Sequence, residues 1–469
     1  MVSPAASETK GASAPATFDW PLAHEAEALV TRWIEAFLRG NAVARRLAER
    51  MRDETGTEFY EWVDHVTVAP EHVAELSAAG FAEERVEAPT DVAVWWHPRA
   101  MMPRVVVRAG GSRDGGPVEL AVRPERLVDF VAKHAAGAAI EGAWGARLRR
   151  AVIADEAGTR LSAVERLGYR GFVVREPTAD FVAGALRAGE LWRTRPRDFA
   201  EDAGGVAQAF ARLDEVLRHV DRDAACELFF AEERRFWEER NRAARVQKRR
   251  QDALGLGWGN HDHHTFRCSR AHFADLIAFL LRLGFEKRER YYAGAEAGWG
   301  AQILEQRVTG IVVFADVDLM PEETAVDFST HRLPPASRLG TVGLWCGLHG
   351  DSFLAAGMHH LEARFDFARL REQLATEGVG TMKPFSDFDF LKQAFTEGER
   401  WRVAPERIER LRRDGLISAE QAATFRRDGA IGSHLENLQR KGGFKGFNQK
   451  SVSVIIEATD PRRTAAHST

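Results

Sequence analysis

Cysteine is scarce. Cys226, Cys268 and Cys346 are the three in 469 residues, too few and too scattered for a disulfide framework or a thiolate zinc site. A reducing compartment, the cytoplasm, fits that usage. Long apolar runs are missing too. None reaches the ~18 residues needed to span a bilayer, so no membrane partner is expected. Segment 1–18 lacks the apolar core of a secretory signal and reads as a tail. An excess of one charge is also absent: 65 Lys and Arg stand against 69 Asp and Glu, a net charge of −4. That balance offers no electrostatic footprint for nucleic acid. The basic residues are nearly all arginine, which reflects coding bias rather than DNA binding. Oligomeric state is not legible.

What is present is ordinary globular composition, 45% hydrophobic and 29% charged. At roughly 100–200 residues per domain, the length allows two to four domains. Leu22, Ala26, Leu29, Trp33, Ala36 and Phe37 recur at a helical period over 19–52. A strand is expected in the second half of 59–68, a short helix over 70–79, strands over 92–96 and 104–108, and a helix from Pro124. Helices at 147–153 and 162–167 and a strand at 171–175 complete the first half. Residues 205–255 read as charged helix, with Phe229, Phe230, Phe236 and Trp237 as the buried side.

After a glycine-rich loop at 255–260 the pattern sharpens. A strand over 263–269 precedes a helix over 272–283 that Gly284 ends, then three strand-like runs. Trp345–Gly350 reads as loop. A strand over 358–365, a helix over 367–375 and a strand over 390–395 follow, then a helical insertion over 405–425 and a last strand over 451–459. Strand–helix–strands thus occurs twice. A weaker third copy begins at Asp64-His65, and such recurrence marks a reused supersecondary unit.

Three places offer metal donors: Asn260-His-Asp-His-His264, Met358-His-His-Leu-Glu362, and Glu457 in an otherwise apolar run. Strand neighbours face opposite ways. Only one of His263 and His264, and one of His359 and His360, can therefore reach a common ion. A buried Glu457 needs a partner, and a metal is a natural one. Two imidazoles and a carboxylate suit Fe(II) and O2 chemistry, and also other divalent metals. The segment Lys441-Gly-Gly-Phe-Lys-Gly-Phe-Asn-Gln-Lys450 lacks the spacing of a phosphate-binding loop. It reads as a plain loop or as a lid bringing Lys445 or Lys450 to an acidic substrate.

Asp262-His-His-Thr-Phe-Arg267, the helix to Leu283-Gly-Phe, His359-His-Leu-Glu-Ala-Arg364 and Ile456-Glu-Ala together resemble the 2-oxoadipate dioxygenase/decarboxylase family of the vicinal oxygen chelate superfamily, over about 226–460. The resemblance implies His263, His360 and Glu457 as metal ligands, with Glu397 of Phe395-Thr-Glu-Gly-Glu399 as the alternative third. It implies Fe(II) as cofactor and a small 2-oxo acid and O2 as reactants, with decarboxylation to a shortened 2-hydroxy acid. Arg267 would be the catalytic and substrate-binding fork for a carboxylate, and Lys450 a further substrate contact. His359 stands where the family has Asn, and the insertion over 405–425 is a second departure.

The fold class expected is α+β. Paired βαβββ modules would form a cupped, mostly antiparallel sheet with a helical insertion, preceded by a helix-rich α+β domain. Domain limits are 1–18 (tail), 19–225 (N-terminal domain, where a degenerate related module can be read), 226–460 (metal-binding domain) and 461–469 (tail). A second metal site beside His65 is not expected. Two other classes stay open: a metal-dependent lyase, isomerase or hydrolase on the same fold, and a non-catalytic small-molecule binder.

Overall fold

The computed structural model describes residues 20–109, 116–156, 158–199, 201–448, 455 and 459–462. The apolar stripe near the start folds as α1 (His24–Gly40), burying Ala26, Leu29, Trp33 and Phe37. Asn41 divides the expected single helix. Its extended backbone ends α1, and its side chain accepts from Ala44 N–H at 2.9 Å, capping α2 (Ala42–Arg50).

Two βαβββ units then build one eight-stranded sheet. The first is β1 (Val63–Val68), α3 (Val73–Ala78), β2 (Ala82–Glu84), β3 (Val92–Trp96) and β4 (Arg104–Arg108). The second is β5 (Glu119–Val122), α4 (Leu127–His134), β6 (Ile140–Glu141), β7 (Leu148–Glu156) and β8 (Thr159–Arg166). The strand order is β2-β3-β4-β1-β5-β8-β7-β6, with β1 and β5 antiparallel at the seam. The third copy read in the sequence is thus the first unit of a full pair.

Three expectations fail here. Segments 147–153 and 162–167 are not helices but the hairpin β7–β8, which turns at Gly158 with φ +82°. Short apolar runs carry no period that separates helix from strand. Segment 171–175 forms no strand. Its Phe172 lies under the guanidinium groups of Arg104 and Arg166, at 4.7 and 5.0 Å.

Four helices lead into the second half: α5 (Ala179–Arg193), α6 (Asp202–Leu217), α7 (Arg222–Glu238) and α8 (Arg242–Ala253). Positions 225 and 226, where the sequence divides the domains, both lie within α7. Its buried Phe229, Phe230 and Trp237 belong to the core of the second sheet.

That sheet repeats the first. One unit is β9 (His261–Arg267), α9 (Phe273–Arg282), β10 (Glu286–Tyr292), β11 (Trp299–Gln306) and β12 (Ile311–Asp318). After α10 (Thr341–His349) comes the other: β13 (His360–Arg364), α11 (Phe367–Thr376), β14 (Ser386–Phe388), β15 (Leu391–Phe395), β16 (Glu399–Trp401), the inserted α12 (Pro405–Arg413) and α13 (Ala419–Asp428), and β17 (Ala430–Arg440). The order is β10-β11-β12-β9-β13-β17-β15-β14, with β16 also on β17. The fold is therefore α+β with paired βαβββ modules, as the vicinal oxygen chelate resemblance implies.

Residues 345–349 are helix, not loop. The strand beside β13 is β17, not 451–459. In that later segment Ile455 and Thr459 are described, and both are helical. No described helix is long and apolar enough to cross a membrane.

Asn241 ties α8 to β17. Its side chain accepts from Ala244 N–H at 2.8 Å and donates to Ser433 Oγ at 2.6 Å, fully buried. Asn241→Ala removes a helix cap and strands a buried hydroxyl. It is expected to cost about 1–3 kcal/mol, read as a lower thermal unfolding midpoint by circular dichroism. An unchanged midpoint would deny Asn241 this role.

Candidate metal centre

Alternation on β9 puts residues 263, 265 and 267 on one face, and His263, Thr265 and Arg267 all line one pocket there. β13 runs antiparallel beside β9, with His360 opposite Thr265 and Glu362 opposite His263. β17 runs parallel to β13, with Glu436 beside Glu362. Three central strands therefore deliver His263, His360 and Glu436 to one place, with donor atoms within 4.8 Å of one another. The cavity before them measures about 60 Å³ and is walled by Tyr291, Trp299, Phe314, Phe395 and Phe447.

The imidazoles are held in fixed orientations. His263 Nδ1 faces Glu362 Oε1 at 3.1 Å and Asp262 Oδ1 at 3.3 Å, which leaves Nε2 for the pocket. A ligand histidine commonly has its second nitrogen engaged in this way. His360 Nε2 lies 2.8 Å from both Thr265 Oγ1 and Glu436 Oε2, and its Nδ1 meets His359 Nδ1 at 2.8 Å. Gln393 Nε2 donates to Glu436 Oε1 at 3.0 Å and Glu362 Oε2 at 3.3 Å.

Electrostatics favour a cation here. Burial and the neighbouring Glu362 push the Glu436 carboxyl well above its ordinary range. Burial, reinforced by His263, His434 and Arg267, holds His360 well below its ordinary value, so it is a neutral imidazole. For His263 burial acts downward, but Glu362 and Asp262 outweigh it and raise the ring to about 9. Two adjacent buried carboxylates are a costly arrangement, and a divalent cation relieves it. The donor set of two imidazoles and one carboxylate fits Fe(II) among other divalent metals.

A second donor group, Asp262, His263 and Glu362, overlaps the first. Arg440 occupies its carboxylates, reaching Asp262 Oδ2 and Glu362 Oε1 at 3.2 Å each. These acids orient His263 and anchor Arg440 rather than face the pocket as a set.

Of the residues expected from the sequence, His263, His360 and Arg267 come together. Glu397 is exposed in the turn after β15 and does not join them. Glu457 and Lys450 lie outside the described residues. Lys445 turns away, pairing with Glu305 at 2.7 Å and lying over Trp20. The glycine-rich segment still closes the pocket, through Phe447 and Asn448. Glu436, missed in the sequence, had one signal: an acid flanked by Leu435 and Leu438 on a segment matching the length of a strand. His264 is buried on the opposite side, against Phe230 and Arg234, as its alternation implied; His359 is buried too, but its ring packs against His360 and His434. Cys268 is buried, and burial pushes its thiol well up.

The first sheet has a different residue set at the matching place. At the position matching His263, His65 faces Ala121 across the seam, with Ser162 beyond it. Among the described residues, both donor groups lie in the second sheet.

No family model and no curated protein sequence matches the chain. Solved structures do, distantly. A putative hydrolase from Shewanella frigidimarina aligns at 12% identity over 46% of this chain and 92% of its own, with a TM-score of 0.32. A triple variant of 4-hydroxymandelate synthase from Streptomyces coelicolor aligns at 14% identity over 85% of this chain and 98% of its own, with a TM-score of 0.29. Methylmalonyl-CoA epimerase from Mycobacterium tuberculosis aligns at 11% over 39% and 88%, with a TM-score of 0.23. At these values the functional reading rests on the site itself.

Metal uptake should release protons. Below about 9 the free protein carries a proton on His263, and a ligand imidazole must be neutral. Raised pH removes that competitor. Apparent affinity for a divalent metal should therefore climb towards pH 9 by up to about tenfold per pH unit for each proton released, one from His263 and, where it is still protonated, one from the Glu436 carboxyl. Calorimetry in buffers of different ionisation enthalpy checks this, and a pH-independent affinity would overturn it.

Proposed function

We propose that the chain is a non-haem Fe(II)-dependent dioxygenase that decarboxylates a small 2-oxo acid to a shortened 2-hydroxy acid. His263, His360 and Glu436 hold the metal. The observation that carries this reading is Arg267. It is 3% exposed and lines the same pocket, and its Nε and Nη1 have no hydrogen-bond partner. Its other terminal nitrogen, Nη2, donates to Thr459 Oγ1 at 3.0 Å, and Asp316 lies 3.9 Å from Nε. A buried guanidinium with spare donors is a bidentate carboxylate receptor.

The metal supplies O2 activation and a chelation point for a 2-oxo acid. The remaining work belongs to the chain. Arg267 binds and orients the substrate carboxylate beside the three donors. Asp316, pushed up to about 7 by burial despite Arg267, leaves the guanidinium charge incompletely countered and available to an anionic ligand. The aromatic wall excludes water and so strengthens each charged contact. Gln393 fixes the Glu436 carboxylate, and His359 sets the orientation of the His360 ring.

Anaerobically purified protein should contain iron and consume O2 with 2-oxo acids. Zinc or nickel without O2 uptake would favour a lyase, isomerase or hydrolase instead. His263→Ala, His360→Ala and Glu436→Gln should each lose the metal, and Glu397→Gln should keep it, as read by elemental analysis of folded protein. Retention by Glu436→Gln would remove that residue from the set.

Arg267→Lys replaces a fork by a point charge. It should keep the metal but lower kcat/KM for the 2-oxo acid at least ~10-fold, or ~1.4 kcal/mol. Unchanged turnover would show that Arg267 is not the anchor.

A further inference from the structure

A second cavity, of about 280 Å³, lies where the two sheets meet and shares no lining residue with the metal pocket. Residues 60–64, Arg104 and Arg166 come from the first half, and Glu305, Thr309 and Arg364 from the second. Seven arginines and Lys445 line it against five carboxylates, an excess of three positive charges. Counting the groups just behind the wall, Glu84 on Arg170, Glu289 on Arg288 and Lys248 on Glu125, still leaves an excess of two.

Most of these charges are matched. Asp64 accepts from Arg166 at 2.8 and 2.9 Å and lies 3.5 Å from Arg104. Glu227 accepts from Arg123 at 3.0 Å, and Glu61 meets Arg364 at 3.0 Å. Burial pushes Glu61 up to about 7, which weakens the negative side further.

Arg234 is the exception. It projects from α7, is 4% exposed and makes no ion pair among the described residues. Its Nη1 contacts His264 Nε2 at 3.2 Å, and its Nε has no hydrogen-bond partner. On the same wall the buried Trp62 Nε1 also has no acceptor. A guanidinium stays protonated; Glu125 and Glu227 act on this one without direct contact, and burying it with no carboxylate in hydrogen-bond reach is unfavourable. An indole N–H left without an acceptor adds to that cost.

We propose that this cavity binds a small multivalent anion, phosphoryl- or carboxylate-bearing, through Arg234, Arg123 and the Trp62 indole N–H. Arginine forks match both oxyanion types. The volume sits near the lower end of small-molecule sites, roughly 300 Å³, which suits a small metabolite.

Full-length protein would be titrated with orthophosphate, pyrophosphate and citrate at ionic strength fixed with chloride, read by calorimetry. Saturable binding of at least one, at one per chain, is expected, and the anion that binds names the class. Arg123→Gln and Arg234→Gln should each weaken it at least tenfold. If Arg234→Gln fails to fold, Arg123→Gln, at the partly exposed rim, decides. No saturable binding of any of the three anions, or wild-type affinity in Arg123→Gln, would overturn the proposal.

Discussion

Arg440 sets the register on which the candidate metal centre depends. From the end of β17 it reaches Asp262 on β9 and Glu362 on β13. One guanidinium thereby ties together the three strands that carry His263, His360 and Glu436. A one-residue slip of any of them would send its donor to the opposite face. The side chain is 7% exposed, so its value is as a pin: a misaligned strand leaves an unpaired buried ion, which costs far more than the pair contributes when made.

The two faces of β9 have different chemistry. The odd face carries His263, Thr265 and Arg267 into the aromatic pocket. The even face carries His264 to Arg234 and Phe230, on the side of α7. The paired sheet thus places a carboxylate-oriented imidazole on one side and a guanidinium-contacted imidazole on the other. His263 is drawn towards its charged form, while burial and Arg234 hold His264 neutral. Adjacent residues of one type are given different protonation by the strand alternation alone.

The sequence made the histidine strands legible because polar imidazoles at a strand start, followed by a helix, recur in both units. Arg267 was legible through the family resemblance, and the period of two put it on the face of His263. Glu436 stayed hidden because β17 is buried on both sides yet polar: Ser433, His434, Glu436 and Asn437 pair across strands instead of alternating with solvent-facing residues. Helix α10 stayed hidden because Gly343 and Gly347 suggest a turn. A Cβ at Gly343 would come within 2.3 Å of Asp318 Oδ2, and that carboxylate accepts from the N–H groups of Gly340 and Val342. The glycine is there for close approach, not for a bend.

The insertion between β16 and β17 has a consequence for synthesis. Chains emerge and fold from the N-terminus, and the candidate carboxylate donor sits on β17, the last described strand, behind two inserted helices. A nascent chain halted before residue 430 has both imidazoles, the first sheet and most of the second, but neither Glu436 nor Arg440. The candidate donor set of His263, His360 and Glu436 is thereby incomplete until β17 has been made, so a product truncated before it lacks the carboxylate member.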